Sequence, residues 1–512
     1  MPYTLPAAVG SRAPARALSI PAQLALLLAA HVLLWTWVGV ASRSNFDTPG
    51  DMVEAYVWAQ GWQWGYYKHP PLSAWVAGLW FLVVPESQWG YSLLAALNGA
   101  VGLLGLALLA REFLSRRWVL LVVAMASLNP GLTTLAMRFN ANAILISSWP
   151  WAMCLFVRLM RHGRARDAIG CGLACALAML GKYYSAVLLL TLLAAALWVP
   201  QWRRRLAKRE AGFALAAFAL VFAPHAVWLL TQAEGPLQYA EHAARVEPVG
   251  AGTIRALNFA LAQCAFPAVA LVAFRFALVG RGAWRGFAHA VVAPLTPRNE
   301  VVWLLAALPI VATMAATVVT GARTAAVWGL PIASGLALLA VVRAQGAGAA
   351  LDLRRLWRVL AVVWLIVALA APLWWMTRAR VAHPSVTEPR EELAQALDQT
   401  WRREWGTPLP WIAGTRALAA STAFYAASHP RYWSLWNAGV ETPWVEDEDI
   451  VRQGALIVCD ADDVACTERA GAWSAEVRTL TVAKEHAGWL FAPRSYRVYT
   501  IPPSQVRDFG DR

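Results

Sequence analysis

Asp47-Thr-Pro-Gly-Asp-Met-Val-Glu-Ala-Tyr-Val-Trp-Ala-Gln-Gly-Trp-Gln-Trp-Gly-Tyr-Tyr-Lys-His-Pro-Pro-Leu72 sits between two apolar runs, and the way its last residues are read decides the fold. The run that follows, 71–84, is about 14 residues long, short of the roughly 20 that a helix needs to cross a bilayer, and it starts at a Pro-Pro break. If it crossed, the loop with Arg111, Arg116 and Arg117 would share a side with the outer end of the first helix. The later Arg-rich loops would then alternate wrongly as well. Read as an interfacial or re-entrant helix, it restores one rule along the chain: basic clusters fall on one side, isolated basic residues on the other.

The clusters are Arg12 and Arg16; Arg111, Arg116 and Arg117; Arg158, Arg161, Arg164 and Arg166; Arg203 to Arg205, Lys208 and Arg209; Arg281, Arg285 and Arg298; and Arg343, Arg354, Arg355 and Arg358. The other side keeps Arg43, Lys68, Arg138, Lys182, Arg245, Arg255 and Arg323. That bias puts the amino terminus in the cytoplasm and the quoted stretch on the outer face.

Composition agrees. With 59% hydrophobic and 14% charged residues in 512, and a mean hydropathy of +0.47, the chain is too apolar for a soluble protein of this length. A net charge of +14 would suggest nucleic acid in a soluble protein, but here it lies in short loops and reports topology. The run 21–41 follows Arg12 and Arg16 without a small-residue cleavage site and reads as an uncleaved first helix. Further spans are expected at 90–110, 118–136, 143–157, 168–181, 184–200, 211–231, 257–279, 300–320, 324–342 and 358–376. The fold class is therefore a mainly α polytopic membrane protein of about 11 transmembrane helices plus interfacial helices. Its membrane domain is residues 1–380, with a first outer loop at 42–84.

Beyond Arg378 the apolar runs stop. An amphipathic helix at 385–405, strands at 409–413, 455–460, 478–483 and 497–501, and helices at 417–428 and 447–453 predict a small α/β domain, 381–512, on the outer side. Cys459 and Cys466 can form a disulfide there, as an oxidising compartment allows. Cys154, Cys171, Cys175 and Cys264 lie in apolar runs and read as packing residues.

The quoted stretch holds more chemistry than a connector needs. If it is helical from Pro49, Asp47, Asp51, Glu54 and Trp58 share a face. Such a cluster suits a general base, or a divalent cation held by Asp51 and Glu54, or simply a helix start that favours acids. Lys68 and His69, at the lip of the Pro-Pro break, can meet a lipid phosphate or snorkel to the interface. Arg138, followed by Asn140 and Asn142, and Lys182, followed by Tyr183 and Tyr184, are basic residues at membrane depth. They are candidates by default, since such charges are costly without a partner. Arg323 is a weaker candidate. His225 reads as a hydrogen-bonded helix residue, and His242 and His383 show no metal spacing. A phosphate-binding lysine loop, a dinucleotide glycine fingerprint, a Gly-x-Ser-x-Gly elbow and a paired CxxC are all absent from the sequence.

The order of an acidic outer loop, Tyr66-Tyr67-Lys68-His69-Pro70-Pro71-Leu72, a multi-span core and an outer carboxyl-terminal domain resembles the GT-C fold membrane glycosyltransferases. The bacterial glycosyltransferase family 39 type is the group most similar, with its kinship to protein O-mannosyltransferases and the lipid A aminoarabinose transferase. The resemblance covers about residues 20–380, most clearly 51–58 and 65–75, and implies sugar transfer from a polyprenyl-phosphate donor to an acceptor at the periplasmic face. It implies Asp51, with Glu54 beside it, as base or metal partner, and Lys68 and His69 at the donor phosphate. Two departures stand out: Asp51 and Glu54 are three apart where the family often has adjacent acids, and Asn140 and Asn142 stand where a second-loop acid is common. The chemistry is consistent, because Lys68, Arg138 and Lys182 can stabilise the leaving phosphate and Tyr66, Tyr67, Tyr183 and Tyr184 offer faces for sugar and isoprenoid. The expected function is an inverting glycosyltransferase in the bacterial inner membrane, acting on a lipid, glycan or protein. A transporter or flippase for a lipid or anionic solute is the alternative.

Overall fold

The computed structural model describes residues 18–46, 50–232, 235–236, 249–292, 296 and 299–504. Asp47, His242 and Arg245 lie outside the described residues. The first helix, Ile20–Ala41, starts where Ser19 accepts the amide of Ala22 and Pro21 occupies the first turn. Six helices are long and apolar enough to cross a membrane, seven if the bent pair Tyr183–Trp198 and Pro200–Leu206 counts as one span. Several turn apolar side chains outward: only 11% of the most apolar window of Arg209–Thr231 is buried, and Leu220 is 78% exposed. Helices that are apolar on their outer faces need lipid as their solvent, so this is a multi-pass membrane protein.

Shorter helices complete the bundle: Arg116–Ala126, Ile144–His162, Ala165–Gly181 and Ile332–Gly346. The run expected as a span at 118–136 ends at Ala126. Asn129 then accepts the amide of Gly131 and opens a single 3-10 turn, Pro130–Leu132, so the remaining residues form a packed loop. The helix Leu72–Phe81 has 10 residues, in keeping with an interfacial segment. Cys154, Cys171 and Cys175 are buried, but Cys264 faces outward.

The bundle has two different ends. One gathers the basic loops: Arg158 pairs with Asp167, Arg161 and His162 with Glu112, and Arg117 donates to the carbonyl of Leu351. The other carries residues 42–46, 50–87, 137–143 and 182–185, and Phe46, Tyr56, Gln60 and Tyr66 among them contact the carboxyl-terminal part. There a five-stranded sheet runs in the order Arg431–Tyr432, Trp411–Gly414, Ala455–Asp460, Arg494–Ile501, Val477–Val482. Trp411–Gly414 is parallel to both its neighbours, and the remaining pairings are antiparallel. Arg431–Tyr432, the helix Val464–Gly471 and the hairpin 485–490 were not expected from the sequence, being short and without a clear apolar period. A disulfide joins Cys459, in the central strand, to Cys466, in the Val464–Gly471 helix, with a Cα–Cα distance of 5.7 Å.

Buried polar staples fix this layer to the bundle. The Lys484 ammonium donates to the carbonyl of Ser44 at 3.1 Å and to Asn45 Oδ1 at 3.0 Å, just past the first helix. Arg390, buried and paired with Glu388 at 2.7 Å, donates across to the carbonyl of Phe46 at 3.5 Å. Gln60 bonds backbone on both sides of the Arg431 strand, accepting the Tyr432 amide at 2.9 Å. Each staple satisfies groups that would be costly to leave buried and unpaired.

Candidate functional site

The helix Asp51–Ala59 is the floor of the site. Gly50 precedes it with φ +80°, a left-handed conformation that side chains disfavour, and so turns the chain into the helix. Asp51 and Glu54 fall in its first turn and Trp58 one turn on, so the three share a face. Lys68 reaches that face from the next loop: its ammonium donates to Glu54 at 2.6 Å and lies 3.9 Å from Asp51. Glu54 and Lys68 are nearly sealed, at 11% and 12% side-chain exposure, whereas Asp51 is 49% exposed.

A tight turn holds Lys68 in place. The amide of Tyr66 donates to the carbonyl of His69 at 3.0 Å and that of His69 to Tyr66 at 3.2 Å. Tyr66 stacks on Trp58 with centroids 4.9 Å apart, and the Lys68 ammonium lies 5.7 Å from the ring centres of both Trp58 and Tyr67. Trp444, from the carboxyl-terminal part, closes over Gly61 so tightly that a Cβ there would meet its ring at 2.3 Å. Arg416, 5.7 Å from the Tyr67 ring centre and paired with Glu441, roofs a narrow pocket of about 10 Å³ over Glu54, Trp58 and Tyr67.

Lys182 comes from the break after Ala165–Gly181. It is 8% exposed, donates to Asn142 Oδ1 at 2.6 Å and lies 4.6 Å from the Trp328 ring centre. His69 lies near both lysines; burial, then Lys182 and Lys68, push its pKa well down and keep it neutral. Burial, helped by the Lys68 charge and opposed by Asp51, lowers Lys182 to about 7. Burial raises Glu54 to about 7, outweighing the pull of Lys68. For Lys68, burial is outweighed by Glu54, Tyr67 and Asp51, and the net shift is upward. The site thus holds a carboxylate poised to take a proton and an ammonium poised near its own midpoint.

The other candidates divide. Asn140 caps the backbone, accepting the amides of Asn142 and Ala143 at 2.9 and 3.2 Å. Tyr183 bonds His225 at 3.0 Å, and His225 bonds the carbonyl of Trp64 at 2.6 Å; Tyr184 bonds Thr313 at 2.7 Å. These side chains tie helices to the outer loop rather than line the pocket over Glu54. Arg323 is exposed in the turn leading to Trp328. Arg138 was grouped with Lys68 and Lys182 on sequence grounds, but it lines a different cavity, beside Arg43 and Arg378. Sequence reasoning missed Arg416, Glu441, Trp328 and Trp444. It also missed Tyr91 and Asn98, which hold the carbonyls of Phe139 and Ala143 and so position Asn142. Polar side chains inside an apolar helix were the available signal for the last two.

A divalent cation is poorly served here. Asp51 and Glu54 already share the Lys68 ammonium, and no group of three His, Cys, Asp or Glu suited to a metal ion occurs among the described residues.

Comparison with known proteins agrees with this architecture. Residues 68–228 match the family model described as dolichyl-phosphate-mannose-protein mannosyltransferase. The chain is 26% identical over 242 residues to the lipid A galacturonosyltransferase RgtD of Rhizobium johnstonii, a match over 46% of this chain and half the length of that relative. The crystal structure of ArnT from Cupriavidus metallidurans bound to undecaprenyl phosphate superposes with a TM-score of 0.58 at 15% identity, covering 95% of this chain and 99% of that one. Its apo form gives 0.54 at 16% identity, covering 94% and 98%. The ArnT-like GT-C fold and the similarity to these glycosyltransferases are as the sequence resemblance implied.

Proposed function

We propose that the protein is an inverting membrane glycosyltransferase that moves a hexose or pentose from a polyprenyl-phosphate donor to a lipid, glycan or protein acceptor. The observation that carries this reading is the pairing of the buried carboxylate of Glu54 with the ammonium of Lys68 under an aromatic roof, with a second buried amine, Lys182, near enough to sense the charges of Lys68 and Asp51. The acceptor hydroxyl gives its proton to the carboxylate as its oxygen attacks the anomeric carbon opposite the phosphate. The bond from that carbon to the phosphate oxygen breaks, and polyprenyl phosphate leaves with its charge held by Lys182 and Lys68. Attack opposite the leaving group inverts the anomeric centre. Asp51, favoured by the resemblance, yields the base role to Glu54, which lines the pocket and has the shifted pKa. Asp51 then serves to hold Lys68.

The site works at the periplasmic face of a bacterial inner membrane in this reading. Eleven spans follow only if the shorter helices 116–126, 144–162, 165–181, 183–198 and 332–346 are taken to cross together with the six long ones, and this reading takes them so. An odd number sets the carboxyl-terminal domain, 381–512, outside, where a Cys459–Cys466 disulfide persists. The test is transfer by purified protein from radiolabelled polyprenyl-phosphate sugars to envelope lipids, comparing wild type, Glu54→Gln and Asp51→Asn. Full activity of Glu54→Gln removes it as base. No transfer from any donor, together with lipid or solute movement in proteoliposomes, replaces the transferase by a transporter or flippase.

A further inference from the structure

The hairpin 485–490 lies between two paired strands of the five-stranded sheet, Val477–Val482 and Arg494–Ile501, yet its rings pack on the membrane bundle. The ring centres of His486, Trp489 and Phe491 lie 5.3, 6.1 and 6.4 Å from that of Trp375, near the end of Leu353–Arg380. The base of the hairpin is pinned as well. The Phe491 amide donates to the carbonyl of Lys484 at 3.0 Å, and Lys484 is the residue whose ammonium reaches Ser44 and Asn45.

The level of Trp375 sets the level of the hairpin. Arg358 is the last basic residue at one end of Leu353–Arg380 and Arg378 the first at the other. Their separation, roughly 30 Å at about 1.5 Å per residue, is the thickness of the hydrocarbon layer. Val362, Leu365, Ile366 and Leu369 between them are all exposed, as lipid-facing residues are. Trp375 is less than one turn inside Arg378 and so stands at the edge of that layer. Rings packed directly on it fall in the headgroup region, which is roughly 5–7 Å deep on each side and is where aromatic side chains gather.

Two features of the hairpin suit that place. Leu490 is 76% exposed, on the face turned away from Trp375. Glu485, its partner across the strands, is exposed too, and a carboxylate keeps this face among headgroups rather than deeper. The turn is Ala487-Gly488, with φ +52° and +77°. Asn-Gly or Asp-Gly fits a turn with two positive φ angles best. Ala487 instead accepts a disfavoured backbone and leaves the tip without a polar side chain, which helps against lipid and not in water.

We propose that this hairpin is a membrane foot of the carboxyl-terminal part: Ala487, Leu490 and the edges of Trp489 and Phe491 lie among the headgroups of the leaflet nearest the site. The partner is the bilayer surface itself, continuous with the lipid-facing side of Leu353–Arg380. Because the hairpin joins two paired strands, the foot also sets the height of the sheet over the bundle. The inference needs the multi-pass fold and not the transferase reading.

The test is the depth of a nitroxide on the full-length protein, reconstituted in vesicles of palmitoyl-oleoyl phosphatidylethanolamine and phosphatidylglycerol. Cys264→Ala removes the exposed thiol. Labels at Ala487→Cys and Leu490→Cys, both exposed positions, are compared with Leu369→Cys on the lipid-facing helix and Glu448→Cys in the helix Asp447–Gln453. Collisions with oxygen, which concentrates in lipid, and with a water-soluble nickel complex report the surroundings. At 487 and 490, nickel collisions should be at least threefold fewer than at 448, with oxygen collisions between those at 448 and 369. Nickel collisions equal to those at 448 put the hairpin in water and overturn the proposal. Exclusion of both reagents overturns it as well: with dipolar broadening between labels the surface is an interface between copies, and without it the protein itself covers the hairpin.

Discussion

The two ends of the bundle use the same residue types in opposite ways. At one end Arg158, Arg161 and His162 meet Asp167 and Glu112 across short loops, and the basic side chains there are 29 to 38% exposed. At the other, Lys68 and Lys182 are nearly sealed among Trp58, Tyr67, Asn142 and Trp328. A charge in water is held loosely and screened by salt; a charge among rings and apolar walls has a shifted pKa and a strong field. The number of charges at an end thus tells topology, while their burial tells function.

The sharpest way to break this comparison is to neutralise the sealed carboxylate. Glu54→Gln should lower kcat by about 10²–10⁴-fold, the range for a general base, with donor KM little changed. Asp51→Asn should cost much less, because Asp51 lies 3.9 Å from Lys68 and is half exposed. Steady-state kinetics on both variants decides between them. Lys182→Met comes next. If Lys182 stabilises the leaving phosphate as one oxyanion donor does, kcat should fall by about 10²–10³-fold.

The pH profile sharpens the comparison further. Glu54 must be ionised, which is lost as pH falls through about 7, and Lys182 must be charged, which is lost as pH rises through about 7. The expected kcat/KM profile is a narrow bell centred near 7. Lys182→Arg, always charged, should remove the basic limb and keep the acidic one. Bound donor phosphate should also move the basic limb of kcat upward relative to that of kcat/KM, since an anion favours the ammonium.

Much of this end was legible. Pro70-Pro71 and the count of arginines in distant loops predicted that the run after the break does not cross, and it is a helix of only 10 residues, Leu72–Phe81; the cost of burying Lys182 marked it as a candidate, and it is nearly sealed against Asn142 and Trp328. Arg138 looked identical by that rule, an isolated basic residue in a turn, and only packing shows that it faces another cavity. Arg416 and Trp444 reach the first outer loop from more than 300 residues away, a contact that no local pattern encodes. The helix expected over 118–136 is shorter, Arg116–Ala126, for a readable reason: Asn129-Pro130-Gly131 is a turn signal inside an apolar run.

Closing the roof tests how the ends differ in rigidity. Gly61→Val should push Trp444 away, since a Cβ at Gly61 already meets its ring at 2.3 Å. The Trp58–Tyr66 stack lies beneath Trp444. Tryptophan emission should shift to the red and transfer should fall by about tenfold, as expected when a positioning contact moves by an ångström or so. Unchanged emission would mean that Trp444 has room to move.

The smallest effect belongs to the other end. Glu112→Gln removes the partner of both Arg161 and His162. Those side chains are 34 and 38% exposed, so water replaces much of what is lost, and the cost to stability should be about 0–1 kcal/mol. Transfer should stay within about twofold, because the pair lies at the opposite end of the bundle from the pocket over Glu54 and is partly screened by water. A transporter makes the opposite demand: its gates must respond at both ends, and loss of an ion pair at the basic end would shift its resting state. A large loss of activity in Glu112→Gln would therefore count against a single-ended enzyme and in favour of alternating access.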